Sequence, residues 1–232
     1  MNQLTLDFFN NPHPGFVKKV VILDDIFATD VPVVELDLKL DTTAILTEAL
    51  SIGKFNELVR PTFNYEQEKR VNNWHKIHVY QTESMNAQRY YTNLSEKIVG
   101  TESLPVVNAN KTNYKSLFDQ LDLWGITVDW CHMMKLGPQG WLTPHRDINN
   151  NMQPLRYFWI PLNWPEGNKL GVYPIGDIKI NVGSMYLLNQ RDYVHSVINL
   201  GNQDRYILNG MFNVPTSTEF KDLVNTSINQ QY

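Results

Sequence analysis

The second half of the chain is divided into many short apolar runs, and this division limits the possible folds more than any other feature. Strand-like runs lie at residues 126–136, 141–148, 155–162, 169–173, 177–181, 184–189, 193–199 and 205–213. Glycine, proline and asparagine separate them, and residues 137–140 (Gly-Pro-Gln-Gly) predict a turn. Many short strands at regular spacing are typical of all-β sandwiches and barrels. We therefore expect a mainly β fold with a double-stranded β-helix, or jelly roll, in the C-terminal half.

The first half of the chain predicts helices that flank this sheet. A strand is expected at residues 33–38, and helices are expected at residues 41–50 and 114–124. Asp41 is a suitable N-cap for the first helix and Gly53 a suitable stop, while Gly125 ends the second helix. Helices grouped upstream of strands indicate that the helices cover the outside of the jelly roll.

The length of 232 residues fits one domain, and no segment has the composition of a linker between two domains. We expect a single domain over residues 1–232. Residues 1–125 form its helical and irregular flanking region, and residues 126–214 form its jelly-roll core. Within the flanking region, residues 60–110 show no sustained period, so the sequence predicts no role for them.

Composition and charge exclude several classes of partner. The net charge of -4 argues against a general nucleic-acid-binding surface. Cys131 is the single cysteine and cannot form an internal disulfide. The amino terminus lacks the basic and apolar stretches of a secretory leader, and no run approaches the roughly 18 apolar residues of a membrane span. We expect a soluble cytoplasmic protein with no nucleic-acid and no membrane partner, and the sequence does not predict its oligomeric state.

Candidate metal ligands lie close together in one of the strand-like runs. His145 and Asp147 are two residues apart, so an extended strand would place both on one face. Trp141 and Thr143 would share that face. A buried carboxylate there needs a partner, which a cation supplies, and His195 in another apolar run offers a third ligand. Two histidines and one carboxylate on one side of a divalent ion are the arrangement of non-haem Fe(II) oxygenases.

An arginine follows the third ligand at a spacing of ten residues. Arg205 starts the last strand-like run, on one face with Ile207 and Asn209. If residues 199–204 form a hairpin connection, adjacent antiparallel strands bring His195 and Arg205 into one pocket. A guanidinium group there binds a carboxylate through two parallel hydrogen bonds.

Other histidines and aromatic residues carry weaker signals. His75 and His78 would share one face of a helix, but no third ligand lies close in sequence, so we interpret them as surface residues. His132 is a lone histidine in a strand-like run. Four aromatic residues near the motif either line a substrate pocket or belong to the core: Trp141, Trp159, Trp164 and Tyr193.

The run from Trp141 to Phe212 resembles the 2-oxoglutarate/Fe(II)-dependent oxygenases, in particular their aspartyl/asparaginyl β-hydroxylase-like branch. The similar pieces are Pro144-His145-Arg146-Asp147, Leu155-Arg156 at the start of the next strand, and His195 with Arg205 ten residues later. The vertebrate β-hydroxylase pattern has a histidine two residues after this arginine, where the chain has Phe158. Relatives that act on free amino acids such as proline keep the full triad, as this chain does.

The resemblance implies a set of roles. His145, Asp147 and His195 would bind Fe(II) as the catalytic residues. Arg205 would bind the far carboxylate of 2-oxoglutarate, and Arg156 would lie near the same cosubstrate. The implied reaction uses dioxygen, releases succinate and carbon dioxide, and hydroxylates an amino acid that is either free or part of a peptide or protein. Family halogenases have a small residue at the position of Asp147, so the carboxylate favours hydroxylation or desaturation.

Two alternatives remain open from the sequence. The same jelly roll could be a cupin-like protein that binds a metal and acts on or binds a small molecule without 2-oxoglutarate. It could also be a non-catalytic interaction protein in which these residues are structural. Arg205 distinguishes the oxygenase from the cupin-like protein, because the latter has no need of a carboxylate clamp ten residues after its last histidine. Metal content distinguishes the non-catalytic protein from both.

Overall fold

The computed structural model describes residues 9, 30–52, 56–57, 71–81, 114–147, 155–213 and 217–232. Its strands are β1 (Val33–Lys39), β2 (Asn56–Glu57), β3 (Val71–Gln81), β4 (Val128–His145), β5 (Tyr157–Pro161), β6 (Asn168–Val172), β7 (Gly176–Asp177), β8 (Ser184–Leu188), β9 (His195–Asn199) and β10 (Arg205–Phe212). Its helices are α1 (Thr42–Ile52), α2 (Lys115–Leu123) and α3 (Thr218–Gln231). The mainly β architecture predicted from the sequence is confirmed.

Strand β4 belongs to both layers of the sheet. One layer has the order β1-β8-β5-β10-β4, and the other has the order β4-β9-β6-β7. All of these pairs are antiparallel. Two antiparallel layers connected in this order form a jelly roll, as the sequence predicted. The assignment of residues 1–232 to one domain, with a core at 126–214, stays a prediction.

The turn predicted at residues 137–140 is wrong, because β4 continues through it. Leu136 pairs with β10 and Trp141 pairs with β9, so this stretch is a bend that moves one strand from the first layer to the second. Strand β3 stays paired with β4 on both sides of the bend. Gly137 makes room for the Asn73 side chain, since a Cβ atom on Gly137 would lie 2.2 Å from Asn73 Nδ2. The chain therefore bends here without reversing.

The first layer is buried on both of its faces. Apolar residues fill the interior of the barrel, among them Trp74, Met134, Leu136, Leu142, Trp159, Val172, Tyr186, Val197 and Ile207. A second apolar cluster lies between this layer and the helices, and includes Phe118, Leu121, Phe158, Leu208, Phe212, Phe220 and Val224. In β5, Trp159 belongs to the interior cluster and Phe158 to the outer one, as strand alternation requires. Burial of both faces explains why β5 is apolar along its whole length.

The two helices predicted in the first half of the chain are confirmed. Asp41 Oδ1 accepts from the main-chain N–H groups of Thr43, at 3.0 Å, and Ala44, at 3.3 Å, and so caps α1. Gly125 follows α2 with a φ of 62°, a conformation that favours glycine. Gly53 lies outside the described residues. None of the helices described is long and apolar enough to cross a membrane.

Helix α3 was not expected from the sequence, and it covers the edge of the sheet at β1. Ser217 Oγ accepts from the main-chain N–H of Phe220 at 3.1 Å and caps the helix. The side-chain amide of Gln231 bonds to both main-chain groups of Glu35, accepting from its N–H at 3.0 Å and donating to its carbonyl. The free groups of an edge strand are thus satisfied by helix side chains.

Candidate metal centre

The three predicted ligands lie together at one end of the barrel. His145 is the last residue of β4 and pairs directly with His195, the first residue of β9. The centroids of the two imidazole rings are 4.3 Å apart. Asp147 lies just beyond β4, and its Oδ1 is 3.6 Å from His145 Nε2. One ligand atom from each of the three side chains lies within 4.8 Å of the other two, and the described residues contain no second group of this kind.

The alternation predicted for residues 141–147 is wrong, although the three ligands do meet. Leu142 packs in the barrel interior opposite Val197, so Trp141 and Thr143 do not lie on the interior face. The register of β4 against β9 shifts between Leu142 and His145. This irregularity changes the alternation and brings His145 opposite His195, as bulges near functional sites do. Asp147 is positioned by the loop after the strand.

Main-chain carbonyl groups fix the orientation of both imidazole rings. His145 Nδ1 lies 2.8 Å from the carbonyl oxygen of Thr143, and His195 Nδ1 lies 3.4 Å from that of Tyr193. A carbonyl oxygen only accepts, so in both rings Nδ1 carries the proton. Nε2 is then the nitrogen with a lone pair for a metal, which is how outer partners fix the tautomer of ligating histidines.

Asp147 is held by Gln190, a residue that was not predicted from the sequence. The main-chain N–H of Asp147 donates to the Gln190 carbonyl at 2.9 Å. With its amide oriented so that both neighbours are satisfied, the Gln190 side-chain nitrogen donates to Asp147 Oδ2 at 3.0 Å and its oxygen accepts from Trp159 Nε1 at 2.6 Å. Gln190 lies in a loop between two strands, where a single glutamine carries no recognisable sequence signal. The Trp159 ring lies edge-on to His195, with a centroid distance of 6.3 Å.

Arg205 is almost completely buried, with 1% of its surface exposed. Its three guanidinium nitrogens have no hydrogen-bond partner among the described residues. Its Cζ lies 5.1 Å from the centroid of the Trp164 ring. Burial lowers the pKa of this guanidinium to about 9, so it is still charged at neutral pH. A buried charge without a hydrogen-bonded partner is costly, and the donor set therefore fits a carboxylate ligand.

The predicted hairpin between His195 and Arg205 is wrong, because β4 lies between β9 and β10 in the strand order. Arg205 pairs with Leu136, whose carbonyl accepts from Asn199 Nδ2 at 3.0 Å. Asn199 is four residues along β9 from His195, roughly 13 Å at the rise of an extended strand. Arg205 therefore lies deeper in the barrel than the metal ligands. A five-carbon diacid together with an arginine side chain can span such a distance.

Arg156 lies at the opposite end of β10 from Arg205. Its Nε donates to the Phe212 carbonyl at 2.8 Å, and its Nη2 donates to Asp129 Oδ2 at 2.6 Å. Burial raises the pKa of Asp129, and the neighbouring Arg156 opposes that rise. Phe212 is seven residues from Arg205, or roughly 23 Å along the strand. A role for Arg156 near the cosubstrate stays a prediction.

Three apolar residues form a separate cluster next to this arginine: Trp130, Tyr157 and Met211. Trp130 and Tyr157 are in edge contact, with ring centroids 5.7 Å apart. The pKa of Tyr157 is raised to about 12, mainly by burial and further by the charge of Asp147. Tyr157 therefore stays protonated near the metal ligands. These residues carry no distinct sequence signal, because aromatic residues in strands are common.

Among the described side chains, His75 and His132 do not join the three ligands. Residues 71–81 form a strand, so the helix considered for His75 and His78 is wrong. His75 Nε2 lies 2.9 Å from Asn73 Oδ1. His132 is buried and stacks on Trp130, with ring centroids 4.6 Å apart.

Two of the predicted aromatic candidates lie beside the functional residues. Trp159 contacts the ligand His195, and Trp164 contacts Arg205. The Tyr193 hydroxyl donates to Asp30.

Comparison with known proteins finds distant structural neighbours. No family model matches the sequence, and no curated protein matches it. A prolyl hydroxylase from Trichoplax adhaerens, solved with a peptide fragment of the hypoxia inducible factor oxygen degradation domain, has a TM-score of 0.42 at 17% identity, over 78% of this chain and 80% of that one. A Pseudomonas putida prolyl-4-hydroxylase has a TM-score of 0.35 at 17% identity, over 60% and 71%.

A third neighbour is an oxidoreductase of the 2OG-Fe(II) oxygenase family from Burkholderia pseudomallei, with a TM-score of 0.36 at 12% identity, over 63% of this chain and 69% of that one. None of the three is an aspartyl/asparaginyl hydroxylase by its description, so that branch stays a prediction. At these identities and scores the likeness is a distant one.

Proposed function

We propose that this protein is a non-haem Fe(II), 2-oxoglutarate-dependent dioxygenase that hydroxylates an amino acid, either free or as a side chain of a peptide or protein. One observation carries the proposal. A group of two histidines and one aspartate lies in the same barrel as a buried arginine whose three nitrogens have no hydrogen-bond partner in the described residues. The first feature fits Fe(II) and the second fits the carboxylate of a cosubstrate.

His145 Nε2, His195 Nε2 and Asp147 Oδ1 would hold the iron, and three ligands on one side leave positions for other groups. When bound together, iron and 2-oxoglutarate supply the activation of dioxygen, coupled to oxidative decarboxylation of the cosubstrate. The protein contributes binding, orientation and exclusion of water. The carbonyl groups of Thr143 and Tyr193 keep each imidazole proton on Nδ1.

Arg205 would bind the far carboxylate of 2-oxoglutarate, because its planar group forms two parallel hydrogen bonds to a carboxylate. Trp164 lies against one face of the guanidinium and limits its movement. The apolar residues between Arg205 and the ligands, such as Val197 and Ile207, are fully buried and would keep water away from the cosubstrate chain.

The substrate would approach from the end of the barrel where the ligands lie. Tyr157, whose pKa is raised by burial and in part by the charge of Asp147, and Trp130 in edge contact with it would give that end an aromatic wall. An aromatic wall suits an amino acid or a peptide segment. The choice between a free and a peptidyl amino acid is one outcome of the experiment below.

The experiment is a succinate-release assay on protein supplied with Fe(II), 2-oxoglutarate and dioxygen, against a panel of free amino acids and peptides. We expect some members of the panel to stimulate succinate formation and the other members to leave it unchanged. Arg205→Met, with iron content matched to the wild type, is the control. Substrate conversion without any need for 2-oxoglutarate would contradict the proposal and favour the cupin-like alternative.

A further inference from the structure

Gln190 lies between two groups of the centre and has polar contacts that fit no other residue type. It is 2% exposed and lies just after β8. Its neighbours are the carboxylate of Asp147, which only accepts hydrogen bonds, and the indole N–H of Trp159, which only donates them. A primary amide is the one side-chain group of this length that donates to the first and accepts from the second.

Only one orientation of the Gln190 amide satisfies both neighbours. In that orientation the distances are 3.0 Å to Asp147 Oδ2 and 2.6 Å to Trp159 Nε1. The opposite orientation would set oxygen against oxygen and N–H against N–H. An apolar replacement would leave a buried indole N–H without a partner, and a glutamate would set two carboxylates side by side. The amide is therefore held in one place and one direction.

The contacts of Gln190 restrict Asp147 in a specific way. Oδ2 accepts the amide N–H, and the Gln190 carbonyl accepts the main-chain N–H of Asp147. The other oxygen, Oδ1, lies toward the imidazoles, 3.6 Å from His145 Nε2. Trp159, on the far side of the amide, lies edge-on to His195. The Gln190 side chain thus contacts the aspartate ligand directly. Through the Trp159 indole, it is also connected to the ring that packs against the His195 ligand.

We propose that Gln190 is a positioning residue that makes Asp147 a ligand through one oxygen only. With Oδ2 bound to the amide, a rotation of the carboxylate that brings both oxygens to the metal would strain or break this hydrogen bond. Chelation by both would occupy a position that the cosubstrate or dioxygen needs. This inference rests on the proposed iron site but not on the reaction that follows.

The test is the affinity of the purified protein for Fe(II), measured anaerobically by competition with a chelator. The variant is Gln190→Met, which keeps length and removes both polar contacts. Loss of an outer partner of a metal ligand typically costs about 10- to 100-fold in metal affinity. Gln203→Met is the matched control, because Gln203 is exposed, and it should bind Fe(II) as the wild type does.

A second measurement separates positioning from a merely structural role. In Co(II)-loaded protein, the visible absorption reports the number of ligand atoms, and Gln190→Met should change it while Gln203→Met should not. Should Gln190→Met not fold, Trp159→Phe removes the indole N–H that anchors the amide while keeping a smaller aromatic ring at that position, and a several-fold loss of Fe(II) affinity is expected.

Fe(II) affinity and Co(II) absorption that match the wild type in a folded variant would overturn the inference, even if the melting temperature falls. Wild-type protein that binds Fe(II) but never converts 2-oxoglutarate would refute the proposed reaction alone. Wild-type protein that binds no divalent metal would refute both.

Discussion

At the scale of single residues, the centre depends on three side chains that reach it from two strands and a loop. His195→Ala removes one ligand and leaves two, which do not hold a metal securely. We expect the iron content of protein purified with Fe(II) to fall about tenfold or more. His75→Ala is the control, because His75 lies on β3 outside the centre. Equal iron in wild type and His195→Ala would show that the metal, if bound, lies elsewhere.

Arg205→Lys tests the proposed cosubstrate anchor, because it keeps the charge but loses the planar fork. Loss of charge-assisted hydrogen bonds worth about 1.5–3 kcal/mol corresponds to roughly a 10- to 100-fold weaker binding of 2-oxoglutarate. Iron content should stay normal. Calorimetric titration of the iron-loaded variant with 2-oxoglutarate gives the dissociation constant. Unchanged 2-oxoglutarate binding would move the anchor away from Arg205, and Arg156 would be the next candidate.

Asp147→Gly tests whether the carboxylate is a ligand. Losing the anionic ligand should release the iron and abolish product formation, since no other described acidic residue joins this group. The wild-type product, analysed by mass spectrometry after reaction under labelled dioxygen, should carry one oxygen atom from dioxygen and no chlorine even in high chloride. A chlorinated wild-type product would contradict the assignment of Asp147.

At the scale of elements, the sequence predicted most of the strands well and the pairing between strands less well. The strand expected at residues 177–181 is wrong, because β7 ends at Asp177. Strand alternation and the glycine and proline breaks are local, so the ends of β5, β8 and β10 follow closely from the pattern. Residues 137–140 were predicted as a turn because glycine and proline are common in turns and in bends alike. A turn and a bend are distinguished here only by the pairing of β4, which pairs with β10 before this stretch and with β9 after it.

The ligands could be found from the sequence, although their geometry could not. His145, Asp147 and His195 stand out by residue type and order, and the structure brings them together. The register shift that directs His145 toward the centre depends on how β4 pairs with β9. The alternation of residues along the sequence carries no information about that pairing. Gln190 could not be found, because its role exists only where the loop after β8 meets Trp159.

Helix α3 gives a prediction about the edge of the sheet. Gln231→Ala removes both side-chain bonds to the main chain of Glu35. We expect the free energy of unfolding to fall by about 1 kcal/mol, because each of the two exposed hydrogen bonds contributes about 0.5 kcal/mol, the low end of the usual net range. Gln230→Ala, the exposed neighbour, should change it by less than about 0.5 kcal/mol. Equal urea midpoints for the two variants would show that α3 does not stabilise β1 in this way.

At the scale of the whole molecule, the buried charge of Arg205 should lower the stability of the ligand-free protein and strengthen its binding of the ligand. The pKa of Arg205 is lower in the folded chain than the ordinary arginine value, so the charge costs stability in full below about pH 9, and the cost disappears as the pH rises to the ordinary arginine pKa. Arg205→Met should therefore raise the free energy of unfolding of the ligand-free protein by roughly 1–4 kcal/mol. Denaturant titrations at pH 7 give both values. A ligand-free variant that is less stable than the wild type would indicate that Arg205 is satisfied in the folded chain.

The same pair of proteins should respond differently to 2-oxoglutarate. A ligand at one hundred times its dissociation constant stabilises the folded state by about 2.7 kcal/mol. The melting temperature of iron-loaded wild type should rise with 2-oxoglutarate, and that of Arg205→Met should not. Addition of succinate, which lacks the 2-oxo group, serves as the ligand control and should stabilise the wild type less.

The central claim is that one barrel binds iron and 2-oxoglutarate together, and visible spectroscopy under anaerobic conditions tests it most directly. A 2-oxo acid that chelates Fe(II) produces a charge-transfer absorption that neither component gives alone. Titration of the iron-loaded protein with 2-oxoglutarate should produce this absorption, saturating at one cosubstrate per iron, in the wild type and in Gln203→Met but only weakly in Arg205→Met. Iron-loaded wild type that shows no such absorption, and no other response to 2-oxoglutarate, would contradict the account.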